Sequence, residues 1–137
     1  MADTMEIARA VAARIGGGAV ATMLPEYTLR DVKEAARVVV VPAGVEHRRL
    51  ARGIREDSHA VHVGVLRKAT EDELEGLVAH VEDLALRLLR TEACGARCVK
   101  AVHAPLYDPA HMRERRQFTG VVELTFLEVV REGGGRV

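Results

Sequence analysis

The chain has 137 residues, 48% hydrophobic and 29% charged, with 20 basic and 20 acidic side chains, so its formal net charge is zero with histidines neutral. That length suits one domain with an apolar core of its own, and the composition excludes a disordered tail. Zero net charge excludes the basic excess on which nucleic-acid binders rely, and a set of only two Tyr and two Phe with no Trp excludes a large stacking platform for bases or sugars.

Asp3, Glu6, Arg9 and Arg14 interrupt the N-terminus, leaving no uncharged stretch for a signal peptide, and no apolar run reaches membrane-spanning length. The chain is therefore expected to stay where it is made, without a membrane partner. A first helix is predicted over 3–15, where Ile7, Val11 and Ile15 recur every four residues and Gly16, Gly17 and Gly18 follow as a stop. Residues 19–24 read as a short strand closed by Pro25, and 29–35 as a helical turn. The clearest buried strand is 37–41, whose four consecutive valines before Pro42 suit cover on both faces.

Between 43 and 57 the character changes. His47, Arg48, Arg49, Arg52 and Arg55 crowd the segment against Glu46 and Asp57, which predicts an exposed loop or hairpin arm. Val61, Val63 and Val65 then alternate with Ala60, His62, Gly64 and Leu66, a period of two that predicts a strand over 59–66.

The best-specified element is a long amphipathic helix over 70–90. Thr70 stands as N-cap with Glu73 three residues on. Glu71, Asp72, Glu73 and Glu75 suit the positive end of the helix dipole, and Arg87 and Arg90 the negative end. Leu74, Leu77, Val78, Val81, Leu84, Ala85 and Leu88 make one stripe at helical spacing. Leu86 lies well away from its middle, so it is expected to be exposed or held against something other than the main core.

A strand over 97–103, a turn-rich connection through Pro105, Asp108 and Pro109, and a short basic turn follow. The last strand is predicted over 118–131, with Phe118, Val122, Leu124 and Phe126 on one side and Val121, Leu127 and Val129 on the other. Its length exceeds the usual five or six residues, which predicts different neighbours along its course. Residues 1–132 read as a single domain and the glycine-rich 133–137 as a flexible C-terminal tail.

Six histidines invite a metal-site reading. His59 and His62, three apart on a strand, point to opposite faces; His80 sits on a helix flank, and His47, His103 and His111 are scattered over loop and strand ends. No spacing supplies convergent ligands, so no metal site is expected. Cys94 and Cys98 have three residues between them, unlike the two of the usual redox motif, and read as reduced thiols. Neither they nor Ser58 lie in a nucleophile elbow or at a helix start. Gly16 to Gly18 follow a helix, whereas a phosphate-cradling loop follows a strand. No enzymatic activity and no cofactor are expected.

The basic segment then has three readings: a solvated loop, an electrostatic docking arm facing an acidic protein surface and, third, a nucleic-acid contact, for which the interleaved aromatics are absent. With the acidic start of the long helix it makes a neutral but polarised subunit, of a kind able to bind copies of itself head to tail.

The order of these elements resembles the tail terminator, or tail completion, proteins of long-tailed bacteriophages and prophages. The resemblance covers most of the chain: the N-terminal helix; the Pro25 segment leading to the valine strand that ends at Pro42; the arginine-bearing arm, including Arg55, before the 59–66 strand; and the helix from Thr70. It continues with Pro105-Leu106-Tyr107-Asp108-Pro109, and with Arg116-Gln117-Phe118-Thr119 opening a final strand that holds Leu124-Thr125-Phe126. A small hydroxyl residue is expected at position 120, which holds Gly.

The resemblance implies an α+β fold with a mixed, mostly antiparallel sheet flanked by the N-terminal helix and the long helix. It also implies a homo-hexameric ring on the head-proximal end of the tail tube, in the neck region of a virion tail assembled in the bacterial cytoplasm. Its partners would be other copies of itself, the tail tube protein and the head-tail connector or stopper protein, with DNA only passing through the channel. Such a ring stops tube polymerisation and offers the head-joining surface. The candidate assembly interface is His47, Arg48, Arg49, Arg52, Arg55 and Leu86. The alternatives are a head-tail joining or minor tail protein of the same particle, and a small bacterial α+β binding module or enzyme.

Overall fold

The first helix, α1, runs over Thr4–Ile15 and turns Ile7, Ala8, Val11 and Ala12 into the core. It starts where the Asp3 carboxylate accepts the Glu6 N–H at 2.7 Å, satisfying one of the donors that a helix start leaves orphaned. It stops at Gly16, whose φ of 70° is open to glycine without steric cost and whose N–H returns to the Ala12 carbonyl. The structure, a computed structural model, describes residues 3–24, 36–132 and 135–136. The expected helical turn over 29–35 and the Pro25 segment lie outside them.

One sheet is built from β1 (Val20–Ala21), β2 (Arg37–Ala51), β3 (Ile54–Lys68), β4 (Glu92–Ala93), β5 (Ala96–Val102), β6 (Gln117–Arg131) and β7 (Gly135–Arg136). Its order is β1-β2-β3-β6-β5-β4, with β7 beside the end of β6. β1 runs parallel to β2, and every other pairing among the described residues is antiparallel. The fold is α+β with a mixed, mostly antiparallel sheet, as expected.

Period-two alternation sets which face each strand buries. Val40 of β2, Val61, Val63 and Val65 of β3, and Phe118, Val122, Leu124 and Phe126 of β6 face one core. The helix α2 (Leu74–Leu88) closes that core with Leu77, Val81, Leu84, Ala85 and Leu88, beside α1. Val39, Val41 and Leu66 form a second buried cluster from the alternate positions, so the valine strand is covered on both faces. Phe118 and Phe126 are the largest fully buried side chains in a core otherwise made mostly of aliphatics, and their burial is worth about 2–3 kcal/mol each.

Several expectations change in extent. The strand at 19–24 is only Val20–Ala21, although the Thr22 N–H still reaches the Val40 carbonyl. The valine strand continues past Pro42 to Ala51 through a register shift between Pro42 and Gly44. A proline has no N–H for the ladder and is accommodated at such irregularities. The long helix begins with a 3-10 turn over Glu71–Glu73 and ends at Leu88, before Arg90 turns to a φ of 74°. At its start the Glu73 carboxylate accepts the Thr70 backbone N–H at 3.0 Å and the Thr70 hydroxyl at 3.2 Å.

The expected basic turn after Pro109 is a helix, α3 (Pro109–Arg115). Asp108 caps it by accepting the Ala110 and His111 N–H groups, and Pro109 takes the first helical position, where its missing N–H costs nothing. The last strand pairs with β3 along its whole length and with β5 and β7 in turn on its other side, as its length predicted. Within the expected flexible tail, Gly135 and Arg136 pair with Arg131 and Val130, so that stretch is a strand; the rest of the tail lies outside the described residues.

Candidate functional site

The basic segment is a hairpin arm. β2 and β3 pair from Arg37 with Leu66 out to Ala51 with Ile54, and Arg52 with Gly53, at a φ of 73°, makes the two-residue turn. From Ala43 to Ala51 every residue of β2 is exposed. The arm is not a detached loop, because β6 follows β3 to its tip, pairing Ile54 with Arg131.

Its charge is largely met within the arm. Besides Glu46 and Asp57 the segment holds Glu56, so four arginines face three acids and leave one net positive charge. Arg48 Nη2 lies 3.2 Å from Glu56 Oε1, and Arg49 Nη2 lies 3.9 Å from Glu132 Oε2. Arg48, Arg49 and Arg52 are exposed, whereas Arg55 is folded down onto Asp57. The expected basic pole is therefore a paired surface with a small surplus, since antiparallel pairing sets acids of β3 opposite bases of β2.

At the root of the arm lies a cluster of buried charge. His47, Asp57 and Glu128 stand in one cross-strand row over β2, β3 and β6. Asp57 and Glu128 are directly opposite each other and only 1% and 3% exposed. Like charges so placed repel, and carboxylates taken out of water need compensation. Asp57 Oδ1 accepts Arg55 Nε at 2.7 Å and lies 2.6 Å from His47 Nδ1, while Oδ2 accepts Arg55 Nη2 at 3.2 Å. Burial pushes the Asp57 carboxyl up, but the hydrogen bonds from Arg55 and His47 and their charges outweigh it and hold it below its ordinary value. The same hydrogen bond raises the Arg55 guanidinium.

His59, 2% exposed, completes the cluster from the next core-facing position of β3. Its Nε2 lies 3.4 Å from Glu128 Oε1 and its Nδ1 lies 2.9 Å from the Thr4 hydroxyl at the start of α1. The ligand atoms of Asp57, His59 and Glu128 fall within 4.8 Å of one another. The expectation that no metal-ligand atoms converge thus does not hold. Spacing along the chain misses the trio because its third member arrives across the sheet, 69 residues after His59. What the sequence carries locally is Asp57 and His59 two residues apart, which puts them on one face of a strand.

His62 does point to the opposite face, where its Nε2 meets Glu123 Oε2 at 3.0 Å. That pair borders a cavity of about 380 Å³ whose lining includes Tyr107, Asp108, His111 and Thr119. His111 Nδ1 lies 2.8 Å from Thr119 Oγ1 and its Nε2 3.5 Å from Asp108 Oδ2. This has the residue types of a nucleophile, base and orienting acid, yet the Thr119 hydroxyl also accepts Gln117 Nε2 at 2.7 Å and the residue is 4% exposed. The hydroxyl thus has two side-chain partners within the fold, His111 and Gln117. The geometry joins the Pro105 to Pro109 and Arg116 to Thr119 motifs: Tyr107 stacks near Phe118, and the Asp108 N–H donates to the Thr119 carbonyl.

Leu86 is 66% exposed, as its place off the helix stripe predicted. It borders a shallow groove with Leu89, Val99 and Leu106, remote in sequence from the arm. Cys94 and Cys98 are free thiols; Cys94 and Gly95 form the two-residue turn between β4 and β5, and burial pushes the Cys98 thiol up. No helix among the described residues is long and apolar enough to cross a membrane. Neither a protein-family model nor a curated protein sequence matches this chain.

Proposed function

We propose that this chain is the tail terminator of a bacteriophage or prophage tail, a structural subunit that closes into a six-membered ring, caps the head-proximal end of the tail tube and presents the head-joining surface. The observation that carries the reading is the pair of unlike sheet edges. On one side, among the described residues, β1 pairs with β2 only at Val39 and Val40, so beyond Pro42 no described strand covers the arm's outer edge, where Val45 and Leu50 are exposed. On the other side β4 pairs with β5 only at Ala96 and Arg97, so the rest of β5 is an edge beside the Leu86 groove.

An uncovered strand is a template for pairing with another chain. In the sheet order, β2 and β5 run in opposite directions, so the β2 edge of one copy and the β5 edge of the next can continue an antiparallel sheet. Contacts between unlike surfaces generate rings when the rotation closes. Opposed charges along the arm select the partner strand and discourage indiscriminate pairing. Assembly of this kind needs no reaction, and DNA passes through the ring without being gripped.

The test is to mix the purified chain with tail-tube subunits and image the products. Tubes of limited length bearing a ring at one end are expected. Unchanged tube length with bare ends would overturn the reading.

A further inference from the structure

We infer that Asp57, His59 and Glu128 form a binding site for a divalent first-row transition ion at the root of the arm. The inference is independent of the proposed role in tail assembly. The three side chains supply one imidazole nitrogen and two carboxylate oxygens, a set suited to zinc, manganese or iron(II) more than to the all-oxygen preference of calcium or magnesium.

Two distances point to a shared ion. His59 Nε2 and Glu128 Oε1 are 3.4 Å apart. That is long for an N–H···O hydrogen bond, but it matches the edge of ~3.4 Å between ligands around a tetrahedral ion with bonds of about 2.1 Å. On the far side of the ring, Thr4 Oγ1 lies 2.9 Å from Nδ1. A hydroxyl from α1 thus fixes the imidazole with Nε2 aimed at Glu128, the part that outer-shell partners play for metal-bound histidines.

Charge favours the same occupant. Two buried carboxylates lie directly opposite each other here, with Arg55 and His47 gathered on Asp57. A divalent ion adds positive charge where water cannot. Asp57 Oδ1 is engaged by both Arg55 and His47, whereas Oδ2 accepts Arg55 Nη2 alone, at the longer 3.2 Å, and is the less engaged oxygen. The ion would clip β3 to β6 at the level of Val45 and His47, within the exposed stretch of β2, with Thr4 tying α1 to the same point.

The full chain, stripped with a chelator, is dialysed against Zn²⁺ and its bound metal measured by elemental analysis. One equivalent per chain is expected, with a rise in Tm. Binding should weaken about tenfold in Thr4→Val, by the usual effect of losing an outer-shell partner, and more than that in Glu128→Gln, while His62→Gln on the opposite face leaves it unchanged. Failure of the folded chain to take up a stoichiometric ion overturns the inference, as does equal uptake by Glu128→Gln. Should Glu128→Gln not fold, ¹⁵N shifts of the histidine rings in the unaltered chain decide. Zinc must move the His59 Nε2 resonance, and shifts confined to the other histidines overturn the site.

Discussion

The ring of Phe118 lies over the α-carbon of Gly120, two residues further along β6. A methyl group at position 120 would stand 2.9 Å from Phe118 Cε2 and Cζ and 3.4 Å from Val81 Cγ2 of α2. The small hydroxyl residue expected there has no room, because this chain fills the space with an aromatic ring from the same strand. Gly120→Ser should therefore destabilise the fold by about 1–3 kcal/mol, the usual cost of overpacking. Phe118→Leu combined with Gly120→Ser should cost less than the sum of the two single changes, since the residues share one space. Chemical denaturation of the four proteins checks both statements.

Acid should loosen the root of the arm. The folded-state pKa of Asp57 is below the 3.8 of the free side chain, so the unfolded state binds the proton more readily. The stabilisation is full above the unfolded value and is lost as pH falls from about 5 through 3.8 and on through the folded value. Asp57→Asn, which removes the charge that Arg55 and His47 grip, should lower stability at neutral pH by about 1–3 kcal/mol. Its stability should then fall less steeply between pH 5 and 3 than that of the unaltered chain, measured by Tm across that range.

Replacing Arg48, Arg49 and Arg52 together by Ala should leave the fold intact. The ion pairs of Arg48 and Arg49 are solvent-exposed, and such pairs are each worth at most about 1 kcal/mol. If the chain closes into the proposed ring, assembly should nevertheless weaken, with the difference from the unaltered chain largest at low salt, where exposed charges are least screened. Sedimentation of both proteins with and without tube subunits, at low and high salt, separates the effects. Equal assembly at every salt concentration would show the arm's charges to be only solvated.

Neighbouring leucines on α2 should respond oppositely. Leu84 is 6% exposed and Leu86 is 66% exposed. Leu84→Ala should cost about 2–5 kcal/mol, as truncations in a packed core do, while Leu86→Ser should change stability by no more than about 0.5 kcal/mol. If the groove beside β5 receives the next copy, Leu86→Ser instead weakens assembly without altering Tm. Thermal unfolding and sedimentation together distinguish packing from docking.

The local elements were legible because their signals are carried by residues a few positions apart. Ile7 and Val11, the α2 stripe and the alternating valines of β3 meet the core at the periods of helix and strand, whatever lies opposite. The off-stripe position of Leu86 likewise announced its exposure. The helical character of α3 is carried only by the start signal Asp108-Pro109, because seven residues are too few for periodicity to register.

Pairing across the sheet was not legible, since register joins residues far apart in the chain. His47, Asp57 and Glu128 become one row only when β3 runs antiparallel to both β2 and β6 in the observed register, and a slip by one residue would put them on opposite faces. The neutral total at 137 residues was a property of the sequence alone, as was the crowding of arginines near position 50. Tertiary structure decided how that charge is spent. Antiparallel pairing places Glu56 and Asp57 against the arm's bases and buries two carboxylates together at its root, because strand register, unlike composition, determines which charges share a dry space.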